Sequence, residues 1–166
     1  MCLLPNTAPN NPEGFATWTE ADIAMFEAKH AVGTMPRLAL ALLLYTGQRR
    51  SDVVQLGRQH VRDGSLHFTQ VKGRKRKPMR MVLPILPELA AAIEATRRAG
   101  TLTFLVNQHG NPFTPETFGN AFRRWCREAG VTKGLAAHGL RKAVGAQLAG
   151  ATPRRTKSWP PSAIGR

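Results

Sequence analysis

Acidic side chains are scarce in this sequence: ten Asp and Glu stand against 24 Lys and Arg, leaving a formal net charge of +14 at pH 7. An imbalance of that size makes a polyanion, DNA or RNA, the first partner to consider. Cysteine is nearly missing. Cys2 and Cys126 lie far apart, without CxxC or Cys/His ligand spacing, so the pattern supports neither a disulfide framework nor a zinc site and reads as two reduced thiols. No long apolar run occurs either. The densest, Leu38 to Tyr45, falls well short of the roughly 20 residues that span a bilayer, and the N-terminus lacks the charged and apolar regions of a signal peptide. Tyrosine occurs once, as Tyr45. What is present, 166 residues of which 42% are hydrophobic, suffices for one packed domain and is short for two.

Residues 1–17, rich in Pro, Asn and Gly and without periodicity, are expected to be a linker or remnant lead-in. Thr19 with Asp22 three residues on forms a capping box, and Ile23, Phe26, Ala24 and Ala28 carry helical spacing to about His30. From Met35 to Tyr45 leucines are so dense that the helix should be buried nearly all round, with Gly47 placed to end it. The period then changes to two. An Asp63-Gly64 turn separates extended pieces, Leu66, Phe68 and Gln70 alternate with His67, Thr69 and Val71, and Met79, Met81 and Leu83 resume after a basic turn. Helices are predicted over Pro87–Arg98, with Gly100 just past the end, and over Thr114–Gly130, with Phe118, Phe122 and Trp125 on one packing side. A last helix starts near His138 and carries Leu140, Val144 and Leu148. The fold class that follows is α+β, mostly α, a helical core with a small antiparallel β-sheet over residues 18–150.

Three elements carry chemistry. Thr46-Gly47-Gln48-Arg49-Arg50-Ser51-Asp52-Val53-Val54 places an arginine in the turn after a buried helix, where charge needs an anion or a carboxylate to meet it. His138-Gly139-Leu140-Arg141 puts His138 and Arg141 on one helical face while Leu140 points into the core. Lys72-Gly73-Arg74-Lys75-Arg76-Lys77 is a basic turn between two apolar strands. Each alone also fits an ordinary solvated surface.

In this order the elements resemble the catalytic domain of the tyrosine recombinases, the phage-integrase type, over roughly Trp18 to Leu148. The family pattern is an arginine in a TGxRxxE-like turn, a hairpin lysine, an HxxR helix start, a later LGH-type histidine and a terminal tyrosine. The resemblance implies Arg49 as the first arginine, Asp52 as the acidic support residue, Lys72 as the hairpin lysine, and His138 with Arg141 as the HxxR pair. It also implies the reaction: a tyrosine oxygen attacks a DNA phosphodiester without metal, ATP or other cofactor. Arg49 and Arg141 would clamp the non-bridging oxygens with bidentate, permanently charged donors. Lys72 would protonate the leaving 5′ oxygen, and His138 would donate to the phosphate or assist the nucleophile's proton transfer. Asp52 would orient a neighbouring cation, since a carboxylate facing the phosphate would repel it. Arg74, Lys75, Arg76, Lys77 and Arg80 would bind the DNA backbone and make affinity salt-sensitive without reading sequence. Double-stranded DNA and other recombinase subunits are the expected partners, with no membrane and no metal, in the bacterial cytoplasm.

The sequence departs from that family at its end. Tyr45 precedes Arg49, inside the apolar helix, and is expected to be core; no tyrosine and no LGH-type histidine follow Arg141. From about Ala149 the apolar rhythm stops, and Thr152-Pro153-Arg154-Arg155-Thr156-Lys157-Ser158-Trp159-Pro160-Pro161 suits no helix. Reading the last base of each codon with the first two of the next lets Lys157 through Gly165 encode Ile-Met-Ala-x-Leu-Gly-His-Arg, with the Ala forced by Trp159-Pro160. A frameshift before Lys157, leaving an aberrant tail over residues 151–166, is the expectation. So is truncation ahead of residue 1, where the family carries a helical core-binding domain. The expected function is a DNA-binding fragment of a site-specific recombinase, inactive alone because covalent catalysis needs its nucleophile. The alternative is a non-enzymatic DNA-binding module or dominant-negative regulator. An RNA-binding protein ranks last, for want of an RRM aromatic signature or a KH-type loop.

Overall fold

The computed structural model describes residues 16–72, 75–131 and 136–148. The lead-in before Ala16, Arg74, the segment 132–135 and the tail from Ala149, with the shifted-frame reading laid on it, lie outside the described residues. So do the side chains of Val144 and Leu148.

Local signals start the first two helices. In α1 (Glu20–Lys29) Asp22 N donates to Thr19 Oγ1 at 3.2 Å while Thr19 N donates to Asp22 Oδ2 at 2.9 Å, so the box closes with Asp in place of Glu. Ile23 and Phe26 are buried, whereas Ala24 and Ala28 face solvent. Thr34 caps α2 (Met35–Thr46), with Arg37 N donating to its hydroxyl. Gly47 ends the helix at φ 61°, a left-handed conformation that glycine adopts without steric cost, and its N–H donates to Leu43 O. Every residue from Leu38 to Leu44 is buried, as the leucine density predicts. That is possible because α4 (Pro87–Ala95), α5 (Pro115–Glu128), α6 (Ala137–Leu148) and the single-turn α3 (Arg50–Val53) all pack on α2.

The sheet is a three-stranded antiparallel meander of β1 (Val61–Arg62), β2 (Ser65–Thr69) and β3 (Arg80–Pro84). Asp63 and Gly64 take φ 48° and 70°, the pair of left-handed residues that a two-residue hairpin turn requires. Leu66, Phe68 and Gln70 are buried; Leu66 pairs with Leu83 and Phe68 with Met81, both half-buried. Met79 differs from the expected alternation. It precedes β3 and its side chain is exposed, and only its carbonyl continues the ladder, accepting from Gln70 N at 3.0 Å.

Two other expectations are corrected. The helix that begins at Pro87 ends at Ala95, not Arg98. There the Thr96 hydroxyl donates to Ala92 O at 2.7 Å, and its buried side chain closes the last turn. Gly100 therefore caps nothing: a Cβ there would lie 2.6 Å from Thr103 O and 2.7 Å from Val106 Cγ1, so close packing demands the glycine. Residues 101–113, unassigned from sequence, insert Phe104 and Leu105 into the core, and Phe104 N donates to Leu56 O at 2.8 Å. The helix from Thr114 is as expected at its start and stops at Glu128, two residues before Gly130.

Aromatic side chains dominate the core between α1 and α5. Phe122 stands 5.6 Å from Phe26, 5.8 Å from Phe118, 5.9 Å from Trp18 and 6.4 Å from Trp125, ring centre to ring centre. His30 closes this layer by a 3.0 Å hydrogen bond between its Nε2 and Trp125 O. Next to Trp125, burial pushes the Cys126 thiol up to about 12. In a Cys2→Ser variant, iodoacetamide at pH 8 should therefore modify the native protein at less than about a hundredth of the urea-unfolded rate, because the thiolate is the nucleophile. Comparable rates, read by intact mass, would mean that this layer opens readily.

Candidate functional site

The site begins where α2 stops. After Gly47 turns the chain, Gln48 is buried and Arg49 is half-buried. The Arg49 carbonyl accepts from Asp52 N and Val53 N, both at 2.9 Å, which starts α3. Four residues are too few to show a helical period, so α3 left no trace in the sequence. Arg50 leans on α5, where a Cβ at Gly119 would come 2.8 Å from its Nη1.

Asp52 is 2% exposed, and its Oδ1 accepts from Val71 N at 2.7 Å. The carboxylate expected to orient a neighbouring cation holds the backbone of the residue just before Lys72. Its Oδ2 has no hydrogen-bond partner among the described residues. Asp52 also lines a small cavity with Gln55, Leu56, His60, Phe68 and Thr69. Burial lowers the His60 imidazole below its usual range, a Gly57 backbone hydrogen bond opposes the shift and Arg62 adds to it. His60 Nδ1 accepts from Gly57 N at 3.1 Å.

A second tie runs in parallel. Gln70 Nε2 donates to Gln48 Oε1 at 2.8 Å, both side chains are buried, and Gln48 Nε2 donates to Thr46 O at 3.1 Å. Sequence reasoning did not assign either glutamine a role. The signal was present in the strand alternation, which puts Gln70 on the face of Leu66 and Phe68, where an amide must find a partner.

Lys72, just past β2, is exposed, as are Lys75, Arg76 and Lys77 in the turn and Arg80 at the head of β3. The second half of the set sits on α6. His138 is exposed and Arg141 half-buried, while Leu140 between them is 0% exposed. α6 packs on α2, the helix whose cap leads into Arg49. Its start is anchored by the segment before α1: Trp18 Nε1 donates to Ala136 O at 3.1 Å, and a Cβ at Gly139 would collide with the Ala16 carbonyl. The structure thus joins the Arg49 turn to the Lys72 strand by two side-chain hydrogen bonds, and brings the His138–Arg141 helix onto the same central helix. Tyr45 is half-buried in α2, packed against the core.

Chemically this is a set of exposed and half-buried cations on braced backbone, suited to an anion. Among the described residues no group of His, Cys, Asp and Glu could hold a metal, and no helix is long and apolar enough to cross a membrane.

Comparison with known proteins agrees with this architecture. The family model described as "Phage integrase family" matches residues 20–155. The integrase of Escherichia phage HK022 is 27% identical over 114 residues, which is 66% of this chain and 32% of that protein. The chain thus spans about a third of this curated relative. Among solved structures, a lambda integrase (75–356) dimer bound to a COC′ core site aligns with a TM-score of 0.63 at 19% identity, over 78% of this chain and 50% of that one. The Tn1549 transposon integrase (aa 82–397) in complex with circular intermediate DNA aligns with a TM-score of 0.62 at 18% identity, over 84% and 54%. The family match over most of the chain, on a fold shared with these integrases, places it: the chain belongs to the phage integrase family.

Proposed function

We propose that this chain holds a phosphate of double-stranded DNA with Arg49, Lys72, His138 and Arg141, and that alone it binds without cutting. The observation that carries the reading is the Asp52–Val71 hydrogen bond, which fixes the backbone at Lys72 relative to the turn that presents Arg49. Two guanidiniums on the non-bridging oxygens would stabilise the charge that grows there as phosphorus becomes five-coordinate. Lys72 would supply the proton to the leaving 5′ oxygen, and His138 would donate to the phosphate. Lys75, Arg76, Lys77 and Arg80, exposed beside Lys72, would add backbone contacts, and so would Arg74. DNA-bound neighbours, one of them a dimer, support DNA and sibling subunits as partners. The nucleophile would have to come from elsewhere, because no tyrosine follows Arg141 and Tyr45 is packed in α2.

The test pairs binding with covalent capture. Log K for a duplex should fall against log[salt] with a slope steeper than about −4, as expected for five or more phosphate contacts. With a nicked duplex no SDS-resistant adduct should form on this chain. Mixed with an integrase subunit that keeps its tyrosine but has lost its own arginines, this chain should restore an adduct on that subunit. Binding without that restoration would favour a non-enzymatic DNA-binding module, and an adduct on this chain alone would refute the reading.

A further inference from the structure

We infer that the buried Gln48–Gln70 pair is a positioning clamp that sets Lys72 in register with Arg49, so that both meet one phosphate. The inference rests on the phosphate-binding reading above and concerns residues that contact no DNA.

Arg49 directly follows Gln48, and Lys72 lies two residues beyond Gln70. Both glutamines are more than nine-tenths buried, at 6% and 9% exposure. Their 2.8 Å bond joins segments 22 residues apart. The orientation of both amides follows from one further bond, made by Gln48. Gln48 Nε2 is committed to Thr46 O, so its Oε1 must accept, and Gln70 must present its Nε2. Thr46 is tied in turn through its hydroxyl to Leu42 O at 2.6 Å, so the chain of bonds runs from the central helix into the strand. On the strand side, Gln70 N donates to Met79 O, which holds the same residue to the far arm of the hairpin. A buried amide pair is a costly way to fill core volume, since two apolar side chains would fill it without desolvating four polar groups. What it adds is direction: an amide bond fixes distance and orientation where a methylene contact would allow sliding. Asp52 ties the Arg49 turn to the backbone at Val71 alone. The Gln48–Gln70 bond supplies the second point, and two points define the placement of Lys72.

The experiment is a double-mutant cycle on DNA affinity, read by fluorescence anisotropy with a labelled duplex near 0.1 M salt. In the native background Lys72→Ala should weaken binding about eightfold, the weight of one lost phosphate contact. Combined with Gln70→Met, Lys72→Ala should cost less than about twofold, because an unplaced lysine has already lost its contact. Lys77→Ala serves as the control, and its effect should be the same in both backgrounds. Should Gln70→Met fold poorly by circular dichroism, the double variant Gln48→Met, Gln70→Met replaces both partners by apolar groups of similar size and is read in the same cycle. An undiminished Lys72 effect in the glutamine variants would overturn the clamp while leaving the phosphate-binding reading intact. Equal attenuation of the Lys72 and Lys77 effects would also overturn it, as general loosening. A Lys72→Ala variant that binds like the native protein would instead sink the phosphate-binding reading itself.

Discussion

Phe122→Ala should destabilise the domain by about 3–5 kcal/mol, a large fraction of the roughly 5–15 kcal/mol that holds such a domain together. Phe122 is 0% exposed and its ring meets those of Trp18, Phe26, Phe118 and Trp125, so truncation leaves a void among rigid aromatics that collapse poorly. The melting temperature should drop by about 6–20 °C for a chain of this size. Leu102→Ala is the contrast: Leu102 is 70% exposed, and its loss should stay within about 0.5 kcal/mol. The cost should reach the site as well. Trp18, one of the rings on Phe122, also carries the hydrogen bond to Ala136 at the start of the His138–Arg141 helix. Thermal melting followed by circular dichroism decides it, and a drop below about 1 kcal/mol would mean that α5 does not carry the core.

The second large effect is expected at the DNA. Arg49→Ala together with Arg141→Ala should lower duplex affinity roughly 60-fold near 0.1 M salt and flatten the salt slope by about 1.8, two phosphate contacts at about 0.9 each. Stability should change little, because both side chains are only half-buried and no ion pair between described residues involves either. Lysine at both positions should retain most of the affinity, since it keeps the charge, but not the forked bidentate grip on two oxygens. In the mixed-subunit assay the double lysine variant should therefore bind DNA and fail to restore the adduct. Loss of affinity that matched any other pair of surface arginines, for example Arg97 and Arg98, would show that Arg49 and Arg141 have no special place.

Much of this fold can be read from the chain because its signals are local. The Thr19–Asp22 box, the all-round leucine burial of α2, the Asp63-Gly64 turn and the buried Phe118, Phe122 and Trp125 face all follow from spacing and turn chemistry. What escaped depends on contacts between distant segments. The end of α4 is set by a threonine folding back on its own helix, Gly100 by close approach to Thr103 and Val106, and the burial of Phe104 by a hydrogen bond to Leu56. The site divides the same way. The residue types of Arg49, Lys72, His138 and Arg141, in that order, resemble a family pattern, so the candidates could be named from sequence. The bracing could not, because a carboxylate aimed at the Val71 amide and an amide pair bridging residues 48 and 70 have no periodicity to betray them.

The most direct test of the whole account is a crystal structure of this chain with duplex DNA. One phosphate should lie within about 3 Å of the guanidiniums of both Arg49 and Arg141, with the Lys72 ammonium reaching the same phosphate group. DNA seated on another face, or a complex in which Arg49 and Arg141 contact different phosphates or none, would contradict it.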